Sequence, residues 1–276
     1  MKKYLTYGLI ALTITSCTDT DTDVIENVPQ VAGHNLYKVT TQSTIYEFAN
    51  NKMIKQSDVG SSLSAQQYDY TYNAEGNLSA VVGTRSDGYI FFEREIIYDS
   101  KSRIIKRNDT YYNDIVTSVR TENVSFTYDE VNNIVTADYD SFDPFALDRV
   151  YYFNTNGLVS NVTYGTGNIL LNYSGNDIVQ WNNMHYTYDD TTVVKGEYLN
   201  MYRNMFNTYT NFVIYNGFPV PNTISTKYIT AMDDDTGTGG DINYTYEFDA
   251  DGYPTVVHEF QVVNGGNSND IFITYN

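Results

Sequence analysis

Four aspartates, a tryptophan with two asparagines, and three histidines are the side chains whose types and spacing could do chemistry in this chain. Asp233 and Asp235 lie in the run Asp233-Asp-Asp-Thr-Gly-Thr-Gly-Gly-Asp241, and Asp249 and Asp251 precede Gly252. Carboxylates at alternate positions followed by glycine supply the oxygen donors that a calcium ion takes, which makes calcium the one cofactor the sequence suggests. Glu247 at the first position of such a loop and His258 at the twelfth depart from the calcium pattern, and an ordinary acidic turn explains the same residues. Trp181 stands between Gln180 and Asn182-Asn183. An aromatic face flanked by amides suits a sugar ring, through stacking and hydrogen bonds, and a tryptophan buried in a sheet core is the competing reading. His34, His185 and His258 are scattered without metal-ligand spacing. No Gly-x-Ser-x-Gly, phosphate-loop or His-Glu-x-x-His pattern occurs, and the acids are too numerous to single out a glycosidase pair. The expectation is a protein that is not an enzyme.

Residues 1–16 read as a signal peptide, with Lys2 and Lys3 before the apolar run Tyr4 to Thr15, which is short for a bilayer span. The run ends at Ile14-Thr-Ser-Cys17, which resembles a bacterial lipobox, and Cys17 is the single cysteine of the chain. Cys17 is therefore the expected lipidation site, anchoring the protein to the outer membrane. Residues 17–34 follow as an acidic tether, opening with Thr18-Asp-Thr-Asp-Thr-Asp23, which has no apolar period with which to bury itself. An acidic stretch directly after the lipidated cysteine resembles the export signal that carries lipoproteins of Bacteroides- and Flavobacterium-type bacteria to the cell surface.

The 276 residues carry 34 acidic against 16 basic side chains, a formal net charge of −18. That surface repels phosphate backbones and anionic headgroups, so nucleic acid is excluded as a partner. Aromatic residues make up 15 % of the chain, with 28 tyrosines against one tryptophan. Aromatic and β-branched residues favour pleated sheet, and no amphipathic helical period stands out after the signal peptide.

The strands announce themselves in one recurring phrase. In Tyr244-Thr-Tyr-Glu-Phe-Asp-Ala-Asp-Gly-Tyr-Pro-Thr-Val-Val257, aromatic and polar residues alternate, an Asp opens a turn, and Gly252 can take the left-handed conformation at its end. Tyr68 to Leu78, Val124 to Ile134 (with Asn132-Asn133 in place of Gly) and Tyr151 to Leu158 repeat it. The aromatics that anchor the copies are Phe48, Tyr72, Tyr98, Tyr128, Phe153, Tyr173, Tyr188, Tyr215 and Phe248. Their irregular spacing suits hairpins in a meander rather than a stacked solenoid. The predicted fold is all-β, an antiparallel meander of repeated hairpins forming a large curved sheet, a half-barrel or a barrel, in one domain over residues 35–276.

The phrase resembles the YD repeat of Rhs-type proteins, aromatic-x-aromatic-Asp-x-x-Gly-x-Leu, best at Tyr70 to Leu78, Phe126 to Ile134, Phe153 to Leu158 and Tyr246 to Gly252. Together with the lipobox, the chain is similar to a family of uncharacterised Bacteroides-type lipoproteins, a domain of unknown function with a porin-like fold. That resemblance implies a fold and no catalytic residue. Tyrosine rows belong at membrane interfaces more than at the bilayer centre, so a tethered barrel or sheet is expected in preference to an inserted one. The expected role is a non-catalytic binding module for an extracellular ligand such as a glycan. A structural or protein-interaction component of the envelope is the rival.

Overall fold

The computed structural model describes residues 35–50, 52–59, 65–113, 118–141, 147–175, 177–192, 227–236, 240–262 and 268–276. Residues 1–34, with Cys17, lie outside these, as does Tyr215. Among the described residues eighteen strands form, opening with β1 (Leu36–Thr40), β2 (Thr44–Ala49), β3 (Lys52–Asp58), β4 (Gln66–Tyr72), β5 (Leu78–Arg85) and β6 (Ile90–Tyr98). They continue with β7 (Ile104–Asn113), β8 (Ser118–Asp129), β9 (Ile134–Ser141), β10 (Arg149–Phe153), β11 (Val159–Tyr164) and β12 (Gly167–Ser174). The last six are β13 (Asp177–Trp181), β14 (Met184–Tyr188), β15 (Ile229–Asp234), β16 (Ile242–Phe248), β17 (Pro254–Gln261) and β18 (Ser268–Tyr275).

Every strand pairs antiparallel with its sequence neighbours, and β18 returns to β1 through Leu36 opposite Tyr275 and Val39 opposite Ile273. The meander expected from the repeats is therefore a closed barrel, which leaves no edge among the described strands. Closure of a wall this long with a round section would enclose a water-filled channel. Here Val124, Ala137, Tyr151 and Val162 on the inner face are wholly inaccessible, and the inner residues form one apolar cluster. Side chains fill the interior.

The repeated phrase builds one end of the barrel. At Asn73, Asp99, Asn154 and Asp249 the backbone amide donates to the carbonyl four residues on, and the amide three residues on donates back. The side-chain oxygen of the same Asn or Asp accepts further amides of the turn, as Asp249 Oδ1 does from Asp251 and Tyr253, both at 2.9 Å. The residue three after the opener has positive φ, as at Gly76, Gly157 and Gly252, with Ser102 at 59° in the fourth copy. A register shift before each opener, for example between Glu247 and Phe248, marks the bulge of such hairpins. Gly252, at φ 82°, has the geometry that an L side chain resists. Gly252→Ala should lower stability in urea melts by about 1–2 kcal/mol.

Tyrosine rather than phenylalanine recurs because its hydroxyl is used. Tyr72, Tyr98, Tyr128 and Tyr173 donate to the carbonyls of Met53, Leu78, Ile104 and Val159. Tyr188, Tyr246 and Tyr275 donate likewise to Ile178, Ile229 and Pro254. Each clamp runs from an even-numbered strand to the beginning of the odd-numbered strand before it. Burial pushes the Tyr98 hydroxyl up to about 12, with Tyr128 adding to the shift, so the donor keeps its proton at neutral pH. On β16 the clamp is Tyr246 and not the expected anchor Phe248, which has no hydroxyl to donate and is 42 % exposed.

Candidate functional site

The most unusual chemistry lies inside the wall. Arg94 on β6 is directly opposite Asp109 on β7, and Asp109 is directly opposite Glu122 on β8. Two carboxylates facing each other across a strand pair repel, and in a buried setting they need a cation. Arg94 grips Asp109 with both arms, Nε to Oδ1 at 2.6 Å and Nη2 to Oδ2 at 2.5 Å. Arg107 reaches both acids, with Nε 3.1 Å from Asp109 Oδ2 and Nη2 bonded to Glu122 Oε1. Burial alone would lower the Arg107 pKa, but Asp109, Tyr139 and Glu122 outweigh it and hold the group above its ordinary value. The belt continues to Tyr139, whose ring centre lies 5.6 Å from the guanidinium carbon of Arg107 and 5.4 Å from that of Arg149. Both carboxylates are committed to guanidinium groups, so the belt fixes the register of β6, β7 and β8. Sequence reasoning passed over it. The available signal was phase: Arg94 stands between Phe92 and Ile96, and Glu122 two before Val124, in step with the inward apolar row.

The residues singled out from the sequence are dispersed. Asp233 is paired with His185 in the β14–β15 ladder, and Asp235 Oδ2 is hydrogen-bonded to the His185 ring, 2.8 Å from Nε2. Asp249 and Asp251 belong to the β16–β17 turn at the other end of β16, so the two pairs do not meet. Among the described residues no group of three or more His, Cys, Asp or Glu side chains is placed to hold a metal. The Asp-x-Asp-Gly spacing arises because Asp249 ties the turn together.

Trp181 faces inward, opposite Leu171 and Met184, and packs on the core. Asn182, at φ 51°, forms the turn between β13 and β14; its Oδ1 accepts the Leu170 amide at 2.8 Å. The Asn183 carbonyl accepts the Asp235 amide at 3.0 Å. These three residues build a hairpin, and the tryptophan ring is not an exposed platform. Period-two alternation puts Trp181 in phase with Met184 and Tyr186 on the inward row.

His258 projects from the outer face of β17. Its Nδ1 is 2.8 Å from Asp270 on β18 and its Nε2 is 3.1 Å from Glu247 on β16, while Thr245 stands directly opposite and Phe260 lies beside the ring. The hydrogen bond to Asp270 leads a set of contacts that raise the His258 pKa above 6.5. Because the folded value is the higher one, this contribution to stability is complete below pH 6.5 and is lost as pH rises through the folded value. His258→Gln should therefore flatten the fall in melting temperature between pH 6 and pH 9.

The outer face is polar along the mid-strand. Glu93 and Glu95 on β6, Lys106 and Asn108 on β7, and Asn123, Ser125 and Thr127 on β8 alternate with buried inner residues. A membrane barrel carries an apolar band about 25 Å tall at these positions. At mid-strand on β6 to β8 the outward positions are polar instead.

No protein-family model matches the sequence, and no curated protein sequence is significantly similar to it. Among solved structures, a porin-like protein from Bacteroides uniformis is similar at a TM-score of 0.45 and 14 % identity, covering 88 % of this chain and 98 % of that one. A porin-like protein from Bacteroides vulgatus is similar at a TM-score of 0.41 and 10 % identity, covering 88 % and 99 %. At that similarity neither carries an argument about the function of this chain.

Proposed function

We propose that the chain is an outer-membrane lipoprotein, tethered through Cys17 with its barrel standing in water outside the cell, and that it binds an extracellular ligand, a glycan in the first instance, without catalysis. The observation that carries this reading is the polarity of the wall: the interior is packed with apolar side chains and an ion-paired belt, and the outer face of β6 to β8 is polar and charged at mid-strand. Such a barrel needs a separate anchor to stay at a membrane, and the lipobox-like Ile14-Thr-Ser-Cys17 offers one. The buried acids Asp109 and Glu122 are each held by arginine, which fits a structural rather than a catalytic role for them. The rival, an envelope component that recruits proteins by adding a strand to a sheet edge, finds no edge among the described strands of the closed barrel.

Protease added to intact cells tests the location. The proposal expects digestion without permeabilising the outer membrane, and protection until permeabilisation would overturn the outward-facing part. Binding is tested by thermal melts of the purified protein, since a ligand specific to the folded state raises the melting temperature with concentration.

A further inference from the structure

We infer that the outer face of β10 to β13 is a binding surface for an uncharged saccharide, with Tyr152 as the stacking ring. The inference rests on the reading of the chain as a ligand-binding module and names the site and ligand class. Tyr152 points outward next to the wholly buried Tyr151 and is 36 % exposed. Across the ladder it is opposite Asn161, which is opposite Leu170, itself 51 % exposed. Two residues along β12, Asn172 is opposite Gln180 and donates to its Oε1 at 2.7 Å, and Gln180 Nε2 donates to the Asn182 carbonyl at 2.8 Å. The two amides are thus held in place before any ligand arrives, which lowers the ordering cost of binding.

The charge pattern selects the occupant. In a chain of net charge −18, the outward positions of β10, β11 and β12 and Gln180 of β13 carry Val, Tyr, Asn, Thr, Ser, Leu and Gln side chains and no charge. Asp177, at the far end of β13, is buried with Lys227 3.7 Å away. By contrast the outer faces of β6 to β8 and β16 to β18 carry Glu93, Glu95, Lys106, Glu247 and Asp270. An aromatic ring and a leucine beside ordered amides match a molecule with an apolar ring face and a hydroxyl edge. The row from Tyr152 to Leu170 spans two strand spacings, about 10 Å, the reach of one to two sugar rings.

The test titrates the full-length lipidated protein, in detergent, with neutral oligosaccharides (maltohexaose, cellohexaose, mannohexaose) and with acidic ones (oligogalacturonate, a heparin fragment), following melting temperature and heat. The expected result is binding of a neutral probe that weakens about tenfold or more in Tyr152→Ala. Leu170→Asp, which places a charge on the face at an exposed position, should abolish it, and keeps the test decisive if Tyr152→Ala folds poorly. Val119→Ala, on the outer face of β8, should leave it unchanged. Neutral binding indifferent to both variants would overturn the site. Binding of acidic probes alone would overturn the ligand class and leave the binding module standing. No binding of any probe would overturn both.

Discussion

Arg107→Met should destabilise the barrel by about 3–5 kcal/mol, the cost of breaking a buried ion pair by removing one partner. Arg107 and Asp109 are wholly inaccessible, and Asp109 faces Glu122 directly across β7 and β8. Without the guanidinium, two carboxylates confront each other with only Arg94 to balance them. Replacing the whole group with apolar side chains of similar size, Arg94→Met, Arg107→Met, Asp109→Leu and Glu122→Leu together, should cost far less than the single change, because no uncompensated charge stays buried. Urea unfolding of the two variants checks the contrast. A single-variant loss under about 1 kcal/mol would mean that water reaches the belt and that the interior is not packed.

Cys17→Ser should release the protein from the membrane fraction altogether. An acyl-modified cysteine with a polar tether is the only membrane attachment this reading supplies, because the outward residues at mid-strand include Glu93, Glu95, Lys106 and Asn108. A charged side chain on the lipid face of a barrel costs up to about 2–4 kcal/mol near the midplane. Several of them together weigh against insertion under this reading. The released variant should melt with the same cooperativity as the anchored protein and need no detergent to stay in solution. Retention in membranes, or aggregation until detergent is added, would count against the anchor.

Much of the fold was legible because period-two alternation and turn chemistry are local. Asp249 and Gly252 predict the turn they form, Asn133 takes the positive φ expected of the Asn pair, and the Tyr68–Tyr70–Tyr72 row faces inward as its spacing requires. Closure was not legible, because the pairing of Leu36 with Tyr275 joins residues from opposite ends of the sheet and no local signal encodes it. The candidate site was read least well. Trp181 has the ring chemistry of a sugar platform, but its place in the alternation packs it against the core. Tyr152 was hidden inside a phrase where Tyr151 and Phe153 carried the hydrophobic signal. The charged belt was obscured for another reason: each of its charges is unremarkable alone, and only the register of three strands brings them together.

Under the proposed tethering, the outer face of this barrel lies in water while the protein is membrane-bound. Cys17 is the single cysteine, and its lipidation would block its thiol, so one introduced cysteine reports cleanly. Ser125→Cys places a thiol at mid-strand on the outer face of β8, between Val124 and Phe126, which are buried. A membrane-impermeant maleimide applied to the membrane-bound protein should modify the thiol at position 125 rapidly and completely, with Val124→Cys as the unreactive inner control. Protection of position 125 that persists in intact membranes and is relieved only by detergent would place the wall in lipid and contradict the account.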